Sequence, residues 1–255
     1  DFATFLTLLL GLRLLHPAWL NVKKRDLKWL IGLGASLGIF HVFWNLGVLL
    51  NGAAVATVQQ AAMPAIVAIV ASLIWNEPLT TRKGLAIVLT FVGTILVSDL
   101  DVLGQADISL GGFLIGLGIP IMYAGWNLFG KRVRGDYNPV TTLTYGFGFG
   151  ALVLLPFQFF IPQPWPVSTE AFLWFAGLIS VATILAFSFY TFALGRLQAS
   201  VASILAMAEI PIVAVYAYFL LDERMSLDQV VGAVLVVAGV LMLSRRRKRP
   251  RQPLA

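Results

Sequence analysis

The feature that most constrains this chain is a series of long apolar runs that recurs along its whole length. The hydrocarbon core of a bilayer is about 30 Å thick, and a helix needs about 20 apolar residues to cross it. None of the runs alternates apolar and polar residues as a barrel strand does, so each predicts a membrane-spanning helix. Nine spans are predicted, at residues 2–16, 27–46, 53–75, 84–100, 110–130, 140–161, 171–194, 201–221 and 225–244.

The composition excludes an ordinary soluble enzyme. Of the 255 residues, 59% are apolar and 12% are charged, whereas about a quarter of the residues in a soluble domain are charged. The chain has no cysteine, and its two histidines, His16 and His41, lie on successive antiparallel spans with no carboxylate pair beside them. We therefore predict an all-α, polytopic membrane helix bundle that is not an enzyme and holds no cofactor or metal.

Lysine and arginine residues occupy every second loop. Basic loops follow the first, third, fifth and seventh predicted spans, the loops between them are neutral or acidic, and Arg224 is the exception. Because basic loops stay in the cytoplasm, this pattern predicts a protein of the bacterial inner membrane with a cytoplasmic C-terminus. It also explains the net charge of +6 without a nucleic-acid partner. We assign the polybasic tail from residue 245 to the same topology signal, and binding of anionic lipid headgroups is the alternative.

The chain contains an internal repeat. Residues 54–98 reappear at residues 200–244, and Glu77 falls on Glu223. The alternation of loop charge puts these two glutamates on opposite sides of the membrane. An odd number of spans in each repeat produces this inversion, so the sequence predicts two halves of inverted topology.

Prolines mark the middle of two matched spans. Pro64 pairs with Pro211 after a slip of one residue, and a proline inside a helix removes a backbone hydrogen bond and breaks or kinks the helix. Inverted halves with matched broken helices are the architecture of many secondary transporters, which bind substrate near the midplane between the breaks. We therefore predict helix breaks at Pro64 and Pro211 and a transport function.

The order of these features resembles the drug/metabolite transporter superfamily, in its branch of ten-helix exporters. The matching residues are Ala54, Pro64, Glu77 and Gly93 in the first repeat and Ser200, Glu209, Pro211, Glu223, Gly232 and Gly239 in the second. The resemblance implies two inverted halves of five helices with both termini in the cytoplasm. Residues 1–100 then hold four helices of the first repeat and residues 101–255 hold five of the second, so the family's first helix is expected to be missing.

Two predicted spans carry an aromatic and polar triplet at i, i+3 and i+4, the spacing that places three side chains on one helix face. The triplets are His41, Trp44 and Asn45, and Tyr123, Trp126 and Asn127; the repeat equivalents of the first are Phe187, Tyr190 and Thr191. Such faces predict a cavity with aromatic walls and polar tips, which suits a flat amphipathic solute. The alternatives are an aromatic belt at the lipid headgroups for Trp44 and Trp126, and an interhelical hydrogen bond for His41.

Three further polar residues lie inside predicted spans, where unpaired polar groups are costly and face the bundle. Gln59 and Gln60 are adjacent, so at least one of them is expected to face the interior. Glu209 directly precedes Ile210 and Pro211 and is the one acidic residue deep in a predicted span. We favour a role in accepting hydrogen bonds at the helix break; proton coupling and recognition of a substrate amine are the alternatives.

Together these features predict a secondary transporter that exports a small amphipathic metabolite. The aromatic triplets, and the resemblance to exporters of aromatic amino acids, favour aromatic or neutral amino acids. The alternatives are flat organic cations held by cation–π attraction near Glu209, or a non-transporting scaffold or lipid-scrambling subunit. The sequence has no ATP-binding motif, so transport is expected to use a gradient or facilitated exchange. The expected partners are a small-molecule substrate and the lipid bilayer, and the oligomeric state is left open.

Overall fold

The structure is a computed structural model that describes residues 1–104, 106, 109–159, 168–220 and 225–244. Within these ranges the chain is helical and has no β-strand. Five helical segments are long and apolar enough to cross a membrane: Lys24–Gln60, Leu110–Val133, Pro139–Phe159, Thr169–Arg196 and Ala199–Tyr216. Shorter apolar helices accompany them. The predicted all-α membrane bundle is therefore confirmed, whereas the count of nine spans and the inverted repeat stay predictions.

The described helices, in chain order, are α1 (Phe2–Leu15), α2 (Leu27–Gln60), α3 (Met63–Trp75), α4 (Thr81–Val97), α5 (Leu100–Gly104), α6 (Leu110–Val133), α7 (Pro139–Leu154), α8 (Thr169–Gly177), α9 (Ala186–Arg196), α10 (Ala199–Ala206), α11 (Glu209–Leu220) and α12 (Leu227–Ser244). A π-helical segment, Leu178–Leu185, joins α8 to α9 without a break. The Glu223 motif of the predicted repeat and the polybasic tail from residue 245 lie outside the described residues.

Helix α2 is longer than the sequence predicts. Helical hydrogen bonding continues through Asn51 and Gly52, and the chain only kinks at Gly52, where φ is 82° and ψ is 159°. Glycine adopts such a positive φ without steric cost because it has no Cβ atom. The predicted span 27–46 therefore ends too early: its helix reaches Asn51, and the next span follows directly after the kink.

Two spans are broken near their middle. A two-residue turn separates α2 from α3, which begins at Met63, and a second such turn separates α10 from α11, which begins at Glu209. Pro64 and Pro211 lie in the first turn of the helix that follows each break. Proline suits a first turn because the backbone N–H groups there have no intrahelical acceptor. The chain therefore breaks just before each proline rather than at it.

Glycines allow α2 to cross α7 at close range. A Cβ atom added at Gly34 would lie 2.7 Å from the carbonyl oxygen of Gly146, and one added at Gly38 would lie 2.7 Å from that of Gly150. Cβ atoms essentially never lie this close to a carbonyl oxygen, so any larger residue would force the two backbones apart. Helices in a membrane gain little from apolar burial, and such small-residue contacts let van der Waals packing hold them together.

A second glycine crossing, between α4 and α12, gives a stability prediction. A Cβ atom at Gly93 would lie 2.6 Å from the carbonyl oxygen of Gly232, so Gly93→Ala must push the two helices apart. We expect a loss of about 1–3 kcal/mol in the free energy of unfolding, the usual cost of overpacking, measured by thermal denaturation in detergent. Gly84→Ala on the same helix is the control, because its Cβ atom would meet no atom within 4 Å. Equal melting temperatures for the two variants would contradict the predicted crossing.

The basic loops gather at one end of the bundle, which we call the basic end. The backbone N–H of Lys23 donates to the hydroxyl of Tyr137 at 3.0 Å, and Lys131 Nζ donates to the carbonyl oxygen of Leu197 at 2.6 Å. At the other end the amide of Asn51 donates to the first turn of α6 at 2.8 Å. The structure therefore places the basic loops that it describes on the same side, as the sequence predicts.

The helical segment of residues 169–185 lies on the outside of the bundle. Its apolar side chains are largely exposed, and Trp174 retains 74% of its surface. Because the surroundings of a membrane bundle are hydrocarbon, this exposed apolar surface faces lipid. Trp174 therefore offers a lipid-facing control for tryptophans in the interior.

Candidate functional site

A cavity of about 830 Å³ lies between α2, α6, α9, α11 and α12. Its mouth is at the end opposite the basic end and includes Ser98, Asp99 and Gln229. Its inner part reaches the two helix breaks at Gln60 and Glu209. Among the described residues, no basic-end loop lines the cavity. The described lining of the cavity therefore extends from the end opposite the basic end to the two helix breaks.

The two helix breaks meet at the inner part of the cavity. Gln60 is the last residue of α2 and Glu209 is the first of α11, and Gln60 Nε2 donates to Glu209 Oε1 at 2.9 Å. The carboxyl group of Glu209 also remains open to the cavity. Within the described chain, the hydrogen bond to Glu209 thus comes from Gln60 at the other helix break, not from a backbone N–H group at the break beside Glu209. The sequence favours Glu209 as an acceptor of hydrogen bonds at the helix break, and this role stays a prediction. The donor in the structure is the side chain of Gln60 rather than a backbone N–H group.

Aromatic rings form one wall of the cavity. Phe40 stacks on Tyr123 with ring centroids 4.9 Å apart, and Trp44 lies 6.1 Å from Phe40. Phe187 contributes a further ring to the lining. This wall presents aromatic faces to the cavity, close to the Gln60–Glu209 pair, as an amphipathic solute requires.

Trp126 lies behind this wall and does not line the cavity. Its side chain is 4% exposed, stacks on Tyr190 at 5.2 Å and contacts the edge of Phe187 at 5.3 Å. A tryptophan so deeply buried cannot belong to an aromatic belt at the headgroups, so that alternative is wrong for Trp126. Substrate contact by Trp126 would require the cavity to change shape.

Asn127 and Tyr190 form a buried polar contact in the same region. The Tyr190 hydroxyl donates to Asn127 Oδ1, and Asn127 Nδ2 donates to the carbonyl oxygen of Tyr123 at 2.9 Å and lies 3.7 Å from the sulfur of Met63. Buried polar groups that are satisfied in this way make a packed interior more specific. These contacts tie α3, α6 and α9 together behind the cavity wall, and neither residue lines the cavity.

Three predicted site residues lie away from the cavity. Asn45 donates to the carbonyl oxygen of His41 in its own helix at 2.7 Å, and Gln59 Nε2 lies 3.5 Å from the carbonyl oxygen of Phe113. His41 Nδ1 is 3.1 Å from the carboxylate of Asp1. Asp1 thus provides a partner for His41, as the alternative of an interhelical hydrogen bond requires. One carboxylate, that of Asp1 just before α1, therefore lies beside His41.

The structure brings together four of the predicted site residues at the cavity and adds others that the sequence did not single out. The predicted ones are Trp44, Gln60, Tyr123 and Glu209; the added ones include Phe40, Thr57 and Asp99. Phe40 precedes Trp44 by four positions, so helical spacing could have found it. No sequence pattern singled out Asp99, because its position at the mouth depends on its own left-handed backbone conformation, with φ 68°, just after α4.

The cavity is acidic. Glu209 and Asp99 are the charged side chains of its described lining, which contains no lysine, arginine or histidine. The described part of the chain also contains no group of three or more His, Cys, Asp or Glu residues that could hold a metal ion. The lining is therefore suited to a solute with a positive group and an apolar or aromatic body.

Comparison with known proteins gives consistent matches over nearly the whole chain. The sequence model of the EamA-like transporter family matches residues 2–99 and 110–245. An uncharacterized transporter of Archaeoglobus fulgidus is 27% identical over 89% of this chain and 81% of its own length. The uncharacterized inner membrane transporter YicL of Salmonella typhimurium is 29% identical over 78% of this chain and 67% of its own length. A crystal structure with 17% sequence identity superimposes with a TM-score of 0.75, covering 94% of this chain and 82% of that one.

Proposed function

Because the chain belongs to the EamA-like transporter family, we propose that it is a secondary transporter that exports a small amphipathic metabolite by alternating access. It acts as a transporter of the bacterial inner membrane rather than as an enzyme, with its C-terminus in the cytoplasm. Its substrate class is aromatic or neutral amino acids, as the resemblance of its sequence to aromatic amino-acid exporters implies. Of the roles considered for Glu209, we adopt recognition of the substrate amine, because the carboxyl group remains open to the cavity. The side chain of the substrate packs against Phe40 and Trp44.

The observation that carries this proposal is the cavity that extends from one end of the bundle to the paired helix breaks. It has a volume of about 830 Å³ and reaches Gln60 and Glu209 at the paired helix breaks, which is where transporters with matched broken helices bind substrate. Ligand pockets for small molecules have volumes of about 300–1,000 Å³, so an amino acid fits. A transporter open on one side is one of the two states that alternating access needs.

One observation favours a second candidate substrate, a flat organic cation. An amino acid also carries a carboxylate, and the described lining of the cavity offers it no lysine, arginine or histidine. A buried charge without a partner is costly. A monocation would instead pair its positive group with Glu209 and use the aromatic wall through cation–π attraction.

Uptake of three indole compounds into proteoliposomes tests these proposals, since the compounds share one ring and differ in charge. Tryptophan is a zwitterion, tryptamine is a cation and indole propionate is an anion. Saturable uptake of tryptophan supports amino-acid export, whereas uptake of tryptamine alone supports the cation candidate. Preference for indole propionate would contradict both substrate assignments. Absence of uptake for every compound, and for a wider panel of amines, would favour a scaffold or a lipid-scrambling subunit.

Replacing Trp44 by alanine tests the aromatic wall. We expect about a tenfold loss of apparent affinity for the transported indole compound, because an aromatic pair adds about 0.5–1.5 kcal/mol beyond the area that it buries. Affinity for a small aliphatic amine should change little. Competition of unlabelled compounds against the transported one measures both values.

The control for Trp44→Ala is Trp174→Ala, which removes a tryptophan that faces lipid. Trp44→Phe retains an aromatic face and should recover most of the affinity. Binding of the indole compound by Trp44→Ala as tight as by the unmodified protein would remove Trp44 from the site and restore the aromatic belt as its role.

A further inference from the structure

A buried carboxylate lies at the basic end of the bundle, opposite the end that Ser98, Asp99 and Gln229 line. Glu77 lies between α3 and α4 and is 8% exposed. Its carboxylate accepts hydrogen bonds from the backbone N–H groups of Ala199 at 2.8 Å and Ser200 at 3.3 Å, and from the Ser200 hydroxyl. These are the first two residues of α10. Glu77 therefore caps a helix that is distant from it in the sequence.

Helix α10 has no cap of its own. Gln198 occupies its N-cap position and makes no side-chain capping hydrogen bond. The first N–H groups of a helix have no intrahelical acceptor, and the helix dipole favours a negative charge there. The carboxylate of Glu77 provides both the acceptor and the negative charge. Separation of the α3–α4 turn from α10 would therefore leave these N–H groups without an acceptor.

Two cations, the buried Lys83 and the half-buried Lys131, lie at the same junction. Lys83 Nζ lies 3.6 Å from Glu77 Oε2, and its side chain is almost fully buried. Lys131 Nζ donates to the carbonyl oxygens of Leu194 at 3.0 Å and Leu197 at 2.6 Å, at the end of α9. The α9–α10 junction is thus held on one side by Glu77 and on the other by Lys131. A buried ion pair is costly to desolvate, so its presence here favours a specific positional role.

Helix α10 connects this junction to the cavity. Glu209 follows Ser200 by nine positions, about 13.5 Å at about 1.5 Å per helical residue, with the two-residue turn after Ala206 between them. Helix α10 also packs against α3, which follows the break at Gln60. Movement of the first turn of α10 can therefore be transmitted to the pair formed by Gln60 and Glu209.

We propose that Glu77, Lys83 and Ser200 form a latch that holds the basic end shut while the cavity is open at the opposite end. Breaking the bonds from Glu77 to α10 allows the basic end to open. The inference rests on the alternating-access mechanism proposed above and adds to it the residues that decide which end is closed. In this view the stability of the latch sets the population of the state with the open basic end.

Labelling of single cysteines tests the latch, because these 255 residues contain no cysteine that would have to be removed. Ser203→Cys reports on the closed end, since Ser203 is fully buried in α10, and Thr57→Cys reports on the cavity. In proteoliposomes treated with a membrane-impermeant maleimide, we expect Glu77→Gln to increase labelling of Cys at 203 from the basic end about tenfold. Labelling at 57 should fall. A tenfold change corresponds to about 1.4 kcal/mol.

Asp136→Asn is the matched control, because Asp136 is an ion-paired carboxylate at the same end without a contact to α10. Arg132 donates to it at 2.7 Å and holds the pKa of Asp136 below its ordinary value. Asp136→Asn should leave the labelling of both cysteines unchanged. Ser200→Ala removes one bond to Glu77 and keeps the ion pair, so a shift of about threefold in the same direction is expected.

Reciprocal changes at the two reporters, in variants whose helical circular dichroism is intact, support the latch. Unchanged labelling in Glu77→Gln would overturn it. If Glu77→Gln does not fold, unchanged labelling in Ser200→Ala would overturn it equally. The labelling is measured without substrate, so a failure to detect transport would contradict the proposed function and leave the labelling result standing.

Discussion

We expect Trp126→Ala to lower the free energy of unfolding by about 3–5 kcal/mol, the usual range for a buried tryptophan. Trp126 packs against Tyr123, Phe187 and Tyr190. Its removal leaves a void that the surrounding helices can fill only in part. The loss of helical circular dichroism with temperature, in detergent, measures the effect without using tryptophan fluorescence.

Trp174→Ala is the control for this experiment, because Trp174 is exposed on the outside of the bundle. Substitutions at such surface positions usually change stability by less than about 0.5 kcal/mol. A melting temperature for Trp126→Ala equal to that of Trp174→Ala would show that Trp126 is not part of a packed interior. Transport by a folded Trp126→Ala variant with unaltered affinity would agree with its position behind the cavity wall.

Glu209→Gln should have the largest effect on substrate binding. The carboxylate is the charged group at the inner part of the cavity, and truncating one partner of a buried charge pair typically costs about 2–5 kcal/mol. We therefore expect apparent affinity for a transported amine to fall about 30-fold or more. The isosteric amide retains the shape of the side chain, and the inhibition of uptake by unlabelled amine measures the change.

Asp99→Asn is the control for Glu209→Gln, because Asp99 is the other charged side chain of the described lining. It lies at the mouth, where solvent screens its charge, and exposed ion pairs contribute about 0–1 kcal/mol. A change of less than about fivefold is expected. Unaltered affinity in Glu209→Gln would contradict recognition of the amine and return Glu209 to a structural role beside Gln60. A flattened pH dependence of transport, with affinity retained, would assign it to proton coupling instead.

The aromatic side chains form two layers, one that lines the cavity and one behind it, and this explains why some of these substitutions are expected to change binding and others stability. Phe40 and Tyr123 face the cavity, and Tyr123 in turn contacts Trp126, which is packed against α9. Substitutions in the layer that lines the cavity remove contacts with a solute. Substitutions of Trp126, in the layer behind it, remove packing between helices. Variants of Trp44 and Trp126 therefore distinguish the two layers although the sequence presents these residues in equivalent triplets.

The sequence by itself determined that the chain is a helical membrane bundle and which of its loops share a side. Backbone polar groups cannot remain unpaired in hydrocarbon, so long apolar runs must form helices, and basic residues concentrate in loops that share one side. It also placed the two broken helices near Pro64 and Pro211, because the loss of an N–H group acts locally on the helix that contains it.

Only the tertiary structure decided which neighbours these helices meet. Helical spacing shows that Tyr123 and Trp126 share a face, but the packing of α9 puts Trp126 in the interior and leaves Tyr123 at the cavity. Glu77 was visible as part of a repeated motif, whereas its bonds to Ala199 and Ser200 join residues more than a hundred positions apart. Periodicity constrains a helix about its own axis; the contacts between helices depend on the shapes of all of their surfaces at once.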